Sequence, residues 1–136
     1  ARRVWLSQTK PAMPLHWTID SRERLVFAVA DGDVTRAEVE NYLQVLEGAN
    51  AMSYRKLFDA SAGDTSMSPE DLLAIGVRIR EGHARGGPLG PLALVLPADK
   101  TELVSRVLGI LAAADRPMRV FDSLEPARRW IDGLAK

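Results

Sequence analysis

The stretch Leu25-Val-Phe-Ala-Val-Ala-Asp-Gly-Asp-Val-Thr-Arg-Ala-Glu38 decides the architecture. Leu25 to Ala30 is apolar at both alternating sets of positions, the pattern of a strand covered on both faces. Asp31-Gly32-Asp33 supplies turn residues that end it. Thr35-x-x-Glu38 has capping-box spacing, in which each side chain satisfies the other residue's free backbone N–H. Val39, Tyr42, Leu43 and Leu46 then recur at i, i+3, i+4 and i+7, one apolar helix face, and Gly48 stops the helix. A doubly covered strand that runs into an amphipathic helix is half of a parallel βαβ unit.

The flanking sequence extends this pattern in both directions. Leu15, Trp17 and Ile19 alternate with His16 and Thr18, a half-buried strand joined to the first stretch by the polar turn Asp20 to Glu23. Lys56 to Ala60 reads as a short third strand and Ser61 to Ser66 as a polar loop. Ser68-Pro69-Glu70-Asp71 is a helix start, with a hydroxyl cap, proline in the first turn and acids beside it. Leu72, Ile75 and Ile79 line its buried face, and the helix gives way to a loop from Glu81 to Pro91. Leu92 to Leu96 is another fully apolar strand. Asp99-x-x-Glu102 opens a third helix with the stripe Val104, Val107, Leu108 and Leu111. Met118 to Phe121 is the last strand, and Ser123 caps a fourth helix that buries Ala127, Trp130, Ile131 and Leu134. The order β-β-α-β-α-β-α-β-α predicts an α/β fold: a single mixed five-stranded sheet with four helices, antiparallel only at the opening hairpin. Residues 1–13 read as an N-terminal extension and 14–136 as one domain.

Composition excludes much. The 136 residues carry 18 basic and 18 acidic groups, evenly spread, so no charged field gathers nucleic acid. Cysteine is absent and histidine occurs twice, which removes disulfides, thiol catalysis and cysteine or three-histidine metal sites. The longest run free of Asp, Glu, Lys and Arg, Gly86 to Ala98, contains three prolines and three glycines and is too short to span a bilayer. Arg2 and Arg3 precede no apolar signal-peptide core, so a cytoplasmic setting is the expectation.

The element order resembles that of the STAS domain, the fold of the sporulation anti-sigma-factor antagonist. Three stretches add to the likeness: Leu25 to Val34, Lys56-Leu-Phe-Asp59 with the Ser68 helix start, and Arg119-Val-Phe-Asp-Ser-Leu-Glu-Pro-Ala-Arg-Arg-Trp-Ile131. The resemblance implies a non-enzymatic regulatory or protein-interaction module. Phosphoregulated members carry an Asp-Ser-x-Gly signature where this chain has Met67-Ser68-Pro69-Glu70. Ser68 is therefore the candidate phosphoacceptor, but without the flanking residues the usual phosphoserine switch is not expected. Divergent STAS-like proteins are similar to lipid-binding folds, which implies an alternative, a small apolar ligand between sheet and helices.

Candidate positions follow. Asp59, Ser61, Asp64, Thr65, Ser66 and Ser68 cluster after the third strand, where open α/β sheets bind ligands and a helix N-terminus favours an anion; they form the candidate surface for an anion or partner protein. Met52, Met67, Leu72 and Leu89 lie in or near loops and are the candidate lining of an apolar pocket. A third reading, a cryptic hydrolase or transferase using Asp59 with Ser61 or Ser68, lacks a placed base. Asp31, Asp59, Asp99 and Asp122 all follow strands, but the lysine of a receiver-type acidic pocket is missing, so no metal is expected. The Gly86, Gly87, Gly90 spacing matches no phosphate loop, and His16 and His83 have no partner at informative spacing. Arg78, Arg80 and Arg85 complement a helix C-terminus. No cofactor is expected, and the expected partners are another protein, a second copy of this chain included, or the apolar ligand.

Overall fold

The computed structural model describes residues 14–86, 89–100, 102–103, 105 and 116–136. Strand β1 (Leu15–Asp20) pairs antiparallel with β2 (Leu25–Asp33) through the expected hairpin. Helix α1 (Arg36–Gly48) follows, and its capping box is complete: Glu38 N donates to Thr35 Oγ1 at 3.4 Å and Thr35 N donates to Glu38 Oε1 at 3.0 Å. Then come β3 (Arg55–Asp64), α2 (Pro69–Gly86), β4 (Leu92–Val95), a 3-10 turn at Ala98–Lys100, β5 (Met118–Phe121) and α3 (Leu124–Asp132). The sheet order is β1-β2-β3-β4-β5, with β2 to β5 parallel. The mixed five-stranded α/β sheet is as expected.

Four local expectations need correction. Among the described residues there are three α-helices where four were expected. The segment from Asp99 starts as a 3-10 turn, and its stripe at Val104, Val107, Leu108 and Leu111 lies outside the described residues, as does the extension at 1–13. Second, β2 does not stop at Asp31, and β3 does not stop at Ala60. The register shifts between Val29 and Asp31, after which Asp31, Gly32 and Asp33 pair with Ala62, Gly63 and Asp64. Ser61 to Asp64 is therefore strand, not loop. Turn-forming residue types do not end a strand whose neighbour supplies its hydrogen bonds. Gly63 makes the pairing possible, since a Cβ there would stand 2.6 Å from Ala30 Cβ. Third, α2 runs on to Gly86. Arg78 pairs with Glu47 of α1 at 2.9 Å, a helix–helix contact where a dipole complement was expected. That packing outweighs the roughly 1 kcal/mol helix cost of Gly82. Fourth, Ser123 stands at the N-cap of α3 but makes no side-chain cap bond.

Each face of the sheet carries its own core. On one, Leu15, Val26, Ala28 and Ala30 pack under Tyr42, Leu43 and Leu46 of α1 and Ile75 and Ile79 of α2. On the other, Leu25, Leu57, Ala93 and Val95 pack under Ala127 and Ile131 of α3. Arg55, which opens the central strand β3, is buried on the α3 side. Its guanidinium donates to Ile131 O at 2.9 Å, Leu134 O at 3.4 Å and Glu23 O at 2.7 Å. It thereby caps α3 and ties it to the β1–β2 turn. Arg55→Met leaves these carbonyls without a donor and is expected to lower the unfolding free energy by about 2–3 kcal/mol. Arg55→Lys, lacking the planar fork, recovers only part of the loss; urea unfolding curves of the two variants check both expectations.

Candidate functional site

Side chains alternate across a strand, so Lys56, Phe58 and Ala60 of β3 share a face with Leu92 and Leu94 of β4. Together with Leu96 just beyond β4, these residues floor a cavity of about 180 Å3. Tyr42 and Leu43 of α1 and Leu72, Ile75 and Ile79 of α2 roof it, and Arg116, just before β5, closes one end. Trp17, Tyr42 and Phe58 form an edge-to-face row, with ring centroids 5.2 and 6.1 Å apart, of which Tyr42 and Phe58 line the cavity. The lining is almost wholly apolar.

Its charged members sit apart. Lys56 lies at the amino end of β3 and Asp64 eight residues on, roughly 25 Å along the strand. Lys56 Nζ donates to Met52 O and, at 2.9 Å, to Tyr54 O. Burial, with the neighbouring Arg116 charge, pushes its ammonium down to about 7. Arg116 is held below the ordinary guanidinium range by burial, partly offset by the Tyr42 phenol, and its Nε is buried without an acceptor. Burial drives the Tyr42 phenol above its usual range. Among the described residues neither cation has a carboxylate partner.

Met52, Met67, Leu72 and Leu89, the four apolar candidates from the sequence, all line this cavity. Of the polar candidates, Asp64 and Thr65 line the cavity too, at the carboxyl end of β3, whereas Asp59, Ser61, Ser66 and Ser68 do not. Asp59 Oδ1 accepts from Ser61 N at 3.0 Å and from Ser61 Oγ at 2.6 Å. Asp64 Oδ1 accepts from Thr65 N at 2.8 Å. Thr65 Oγ1 donates to Val34 O at 2.8 Å and accepts from Met67 N at 3.1 Å. Ser66 donates through N and Oγ to the Asp33 carboxylate, which the sequence reading had assigned only to a turn. Ser68 Oγ accepts from Asp71 N at 3.1 Å while Ser68 N donates to Asp71 Oδ2 at 3.4 Å, a reciprocal helix cap. Among the described residues no three metal-ligating side chains come together. His16 is exposed on β1. The His83 side chain and Gly87 lie outside the described residues, and Gly90 N donates to Met52 O at 3.0 Å.

Sequence reasoning missed Lys56, Arg116 and Tyr42. A signal existed for the first: a lysine inside an otherwise apolar strand that alternates with Phe58 and Ala60 on one face. Arg116 had none, because it precedes its strand and meets Lys56 only through sheet order.

No family model and no curated protein matches the sequence. Among solved structures, the chain is similar to an uncharacterised protein of the DUF3478 family, with a SpoIIAA-like fold, from Shewanella loihica PV-4. Identity is 18%, the TM-score is 0.59, and the match covers 91% of this chain and 98% of that one. The chain thus has a SpoIIAA-like, that is STAS-like, fold.

The state of Lys56 has a measurable consequence. Its folded value, about 7, lies below the 10.5 of the free side chain, so between those values the unfolded chain binds more protons than the folded one. Stability therefore rises with pH through this window. The gain from pH 7 to pH 9 is expected to be about 2 kcal/mol. Lys56→Met should flatten the profile between pH 7 and pH 9, as read by urea unfolding at each pH.

Proposed function

We propose that this domain is a non-enzymatic cytoplasmic module that acts by binding, and that it takes a small apolar molecule into the space between β3, β4, α1 and α2. The observation that carries this proposal is the cavity of about 180 Å3 with an almost wholly apolar lining. A cavity of comparable size, about 150 Å3 and lined by Leu, Ile and Phe, stays dry and binds benzene. Two thioethers, Met52 and Met67, stand in that lining and can adapt to an occupant. The SpoIIAA-like fold is compatible with a regulatory role, in which occupancy would set the packing of α1 and α2 against the sheet. Ser68 serves the helix cap in this view, and no phosphoserine switch is invoked.

A second reading, contact with another protein, is favoured by one surface feature. Leu73, 65% exposed, and Val77 lie one turn apart on the outer side of α2, and Val45 is exposed on the neighbouring α1.

Toluene separates the two. It is expected to bind with a dissociation constant on the order of millimolar and to shift the methyl resonances of Met52 and Met67. Leu72→Trp, which fills the cavity, should abolish those shifts. Toluene that leaves both methionines unmoved in the wild-type protein rules out the apolar-ligand reading and leaves the α1–α2 surface as the place to look.

A further inference from the structure

The cavity does not end in hydrocarbon. At the amino end of β3 it meets Lys56 and Arg116, two cations close enough to repel each other. Lys56 is held by two backbone carbonyls, which satisfy hydrogen bonds but carry no net charge. Arg116 is half-buried, its Nε has no acceptor, as is also true of Arg55 and Arg78, and no carboxylate among the described residues pairs with Lys56 or Arg116. The one acid in the lining, Asp64, belongs to the opposite end of the strand, where its Oδ1 is engaged by Thr65 N. Proteins bury charge where it is paired, and an uncompensated buried cation costs several kcal/mol. Arg55, one residue earlier on the other face, is held by three carbonyls through its terminal nitrogens. Of the pair facing the cavity, Lys56 has such acceptors and Arg116 donates to none among the described residues.

We infer that the ligand is a small monocarboxylate, its apolar body lying over Phe58 and Ala60 and its carboxylate meeting Arg116 and Lys56. This rests on the apolar-ligand reading above and adds the charge of the ligand to it. A planar guanidinium matches a carboxylate with two parallel N–H donors, and Lys56 adds a point charge beside it. Tyr42 brings a phenol hydroxyl to the same region of the cavity. The volume sets the body: one ring, or a chain of about six to eight carbons, and not a long-chain fatty acid.

The test uses the intact chain and three probes of one shape: octanoate, 1-octanol and octylamine, titrated calorimetrically. Octanoate is expected to bind about tenfold or more tightly than octanol, as charge-assisted hydrogen bonds require, and octylamine more weakly than both. In Arg116→Met the octanoate affinity should fall to that of octanol, while octanol binding changes by less than about threefold. Unchanged octanol binding also shows that the variant is folded. Octanol binding as tightly as octanoate to the wild-type chain overturns the anionic assignment and leaves the apolar-ligand reading standing. Failure of all three probes to bind overturns both. An octanoate preference that survives in Arg116→Met removes Arg116 from the site, and Lys56→Met then decides whether Lys56 alone confers it.

Discussion

Two cations stand side by side at the start of the central strand, and strand geometry sends them to opposite faces of the sheet. Arg55 and Lys56 are both buried, and buried charge has to be satisfied locally or the fold weakens. On the α3 side the answer is structural: the carbonyls of Ile131 in α3, of Leu134 just past its end and of Glu23 converge on one guanidinium. On the α1–α2 side the segment before β3 folds back so that Met52 and Tyr54 offer their carbonyls to Lys56. That reversal passes through Asn50, whose φ of 58° lies in the left-handed region that asparagine tolerates. The same segment receives Gly90 N at Met52 O, so the approach to β4 is fixed by it too. The arrangement around β3 thus follows from where two adjacent positive charges find acceptors.

The fold was legible in the sequence wherever hydrophobic period and end signals coincided. The capping box at Thr35, the Ser68 cap and the doubly apolar strands at Leu25 and Leu92 all marked real elements. Legibility failed where a tertiary partner overrode local chemistry. Asp31-Gly-Asp33 and Ser61 to Asp64 look like turns singly and become strand only because each pairs with the other. Gly82 looks like a helix stop and does not act as one, since α1 packs alongside. At the site, the apolar lining could be inferred from methionines and leucines near loops. The charged end could not, because Lys56 and Arg116 are sixty residues apart and meet only once strands β3, β4 and β5 lie in order.

The cavity runs from the amino end of β3 to its carboxyl end, where open α/β sheets commonly hold ligands. Here that end is occupied by acids and hydroxyls that satisfy one another: Asp59 with Ser61, Asp33 with Ser66, Ser68 with Asp71. Their hydrogen bonds organise the passage from β3 into α2. The two cationic groups of the lining, Lys56 and Arg116, stand instead at the amino ends. In this SpoIIAA-like fold the helix-start serine, Ser68, serves as a cap.

The paired tips of β2 and β3 reach past their neighbours. β1 pairs as far as Ala30, Asp31 N still donates to Pro14 O at 2.7 Å, and β4 pairs only as far as Asp59, so Gly32 and Asp33 with Gly63 and Asp64 form a two-stranded ribbon among the described strands. A bare ribbon edge is a template onto which another molecule's backbone can add. This one carries Asp33 and Asp64, and Lys100 Nζ donates to Gly63 O on one flank. Two such tips brought together would set like charges against each other without the means to bury them. The acids that resemble turn signals in the sequence thus put like charges on this ribbon, which disfavours pairing between two such tips.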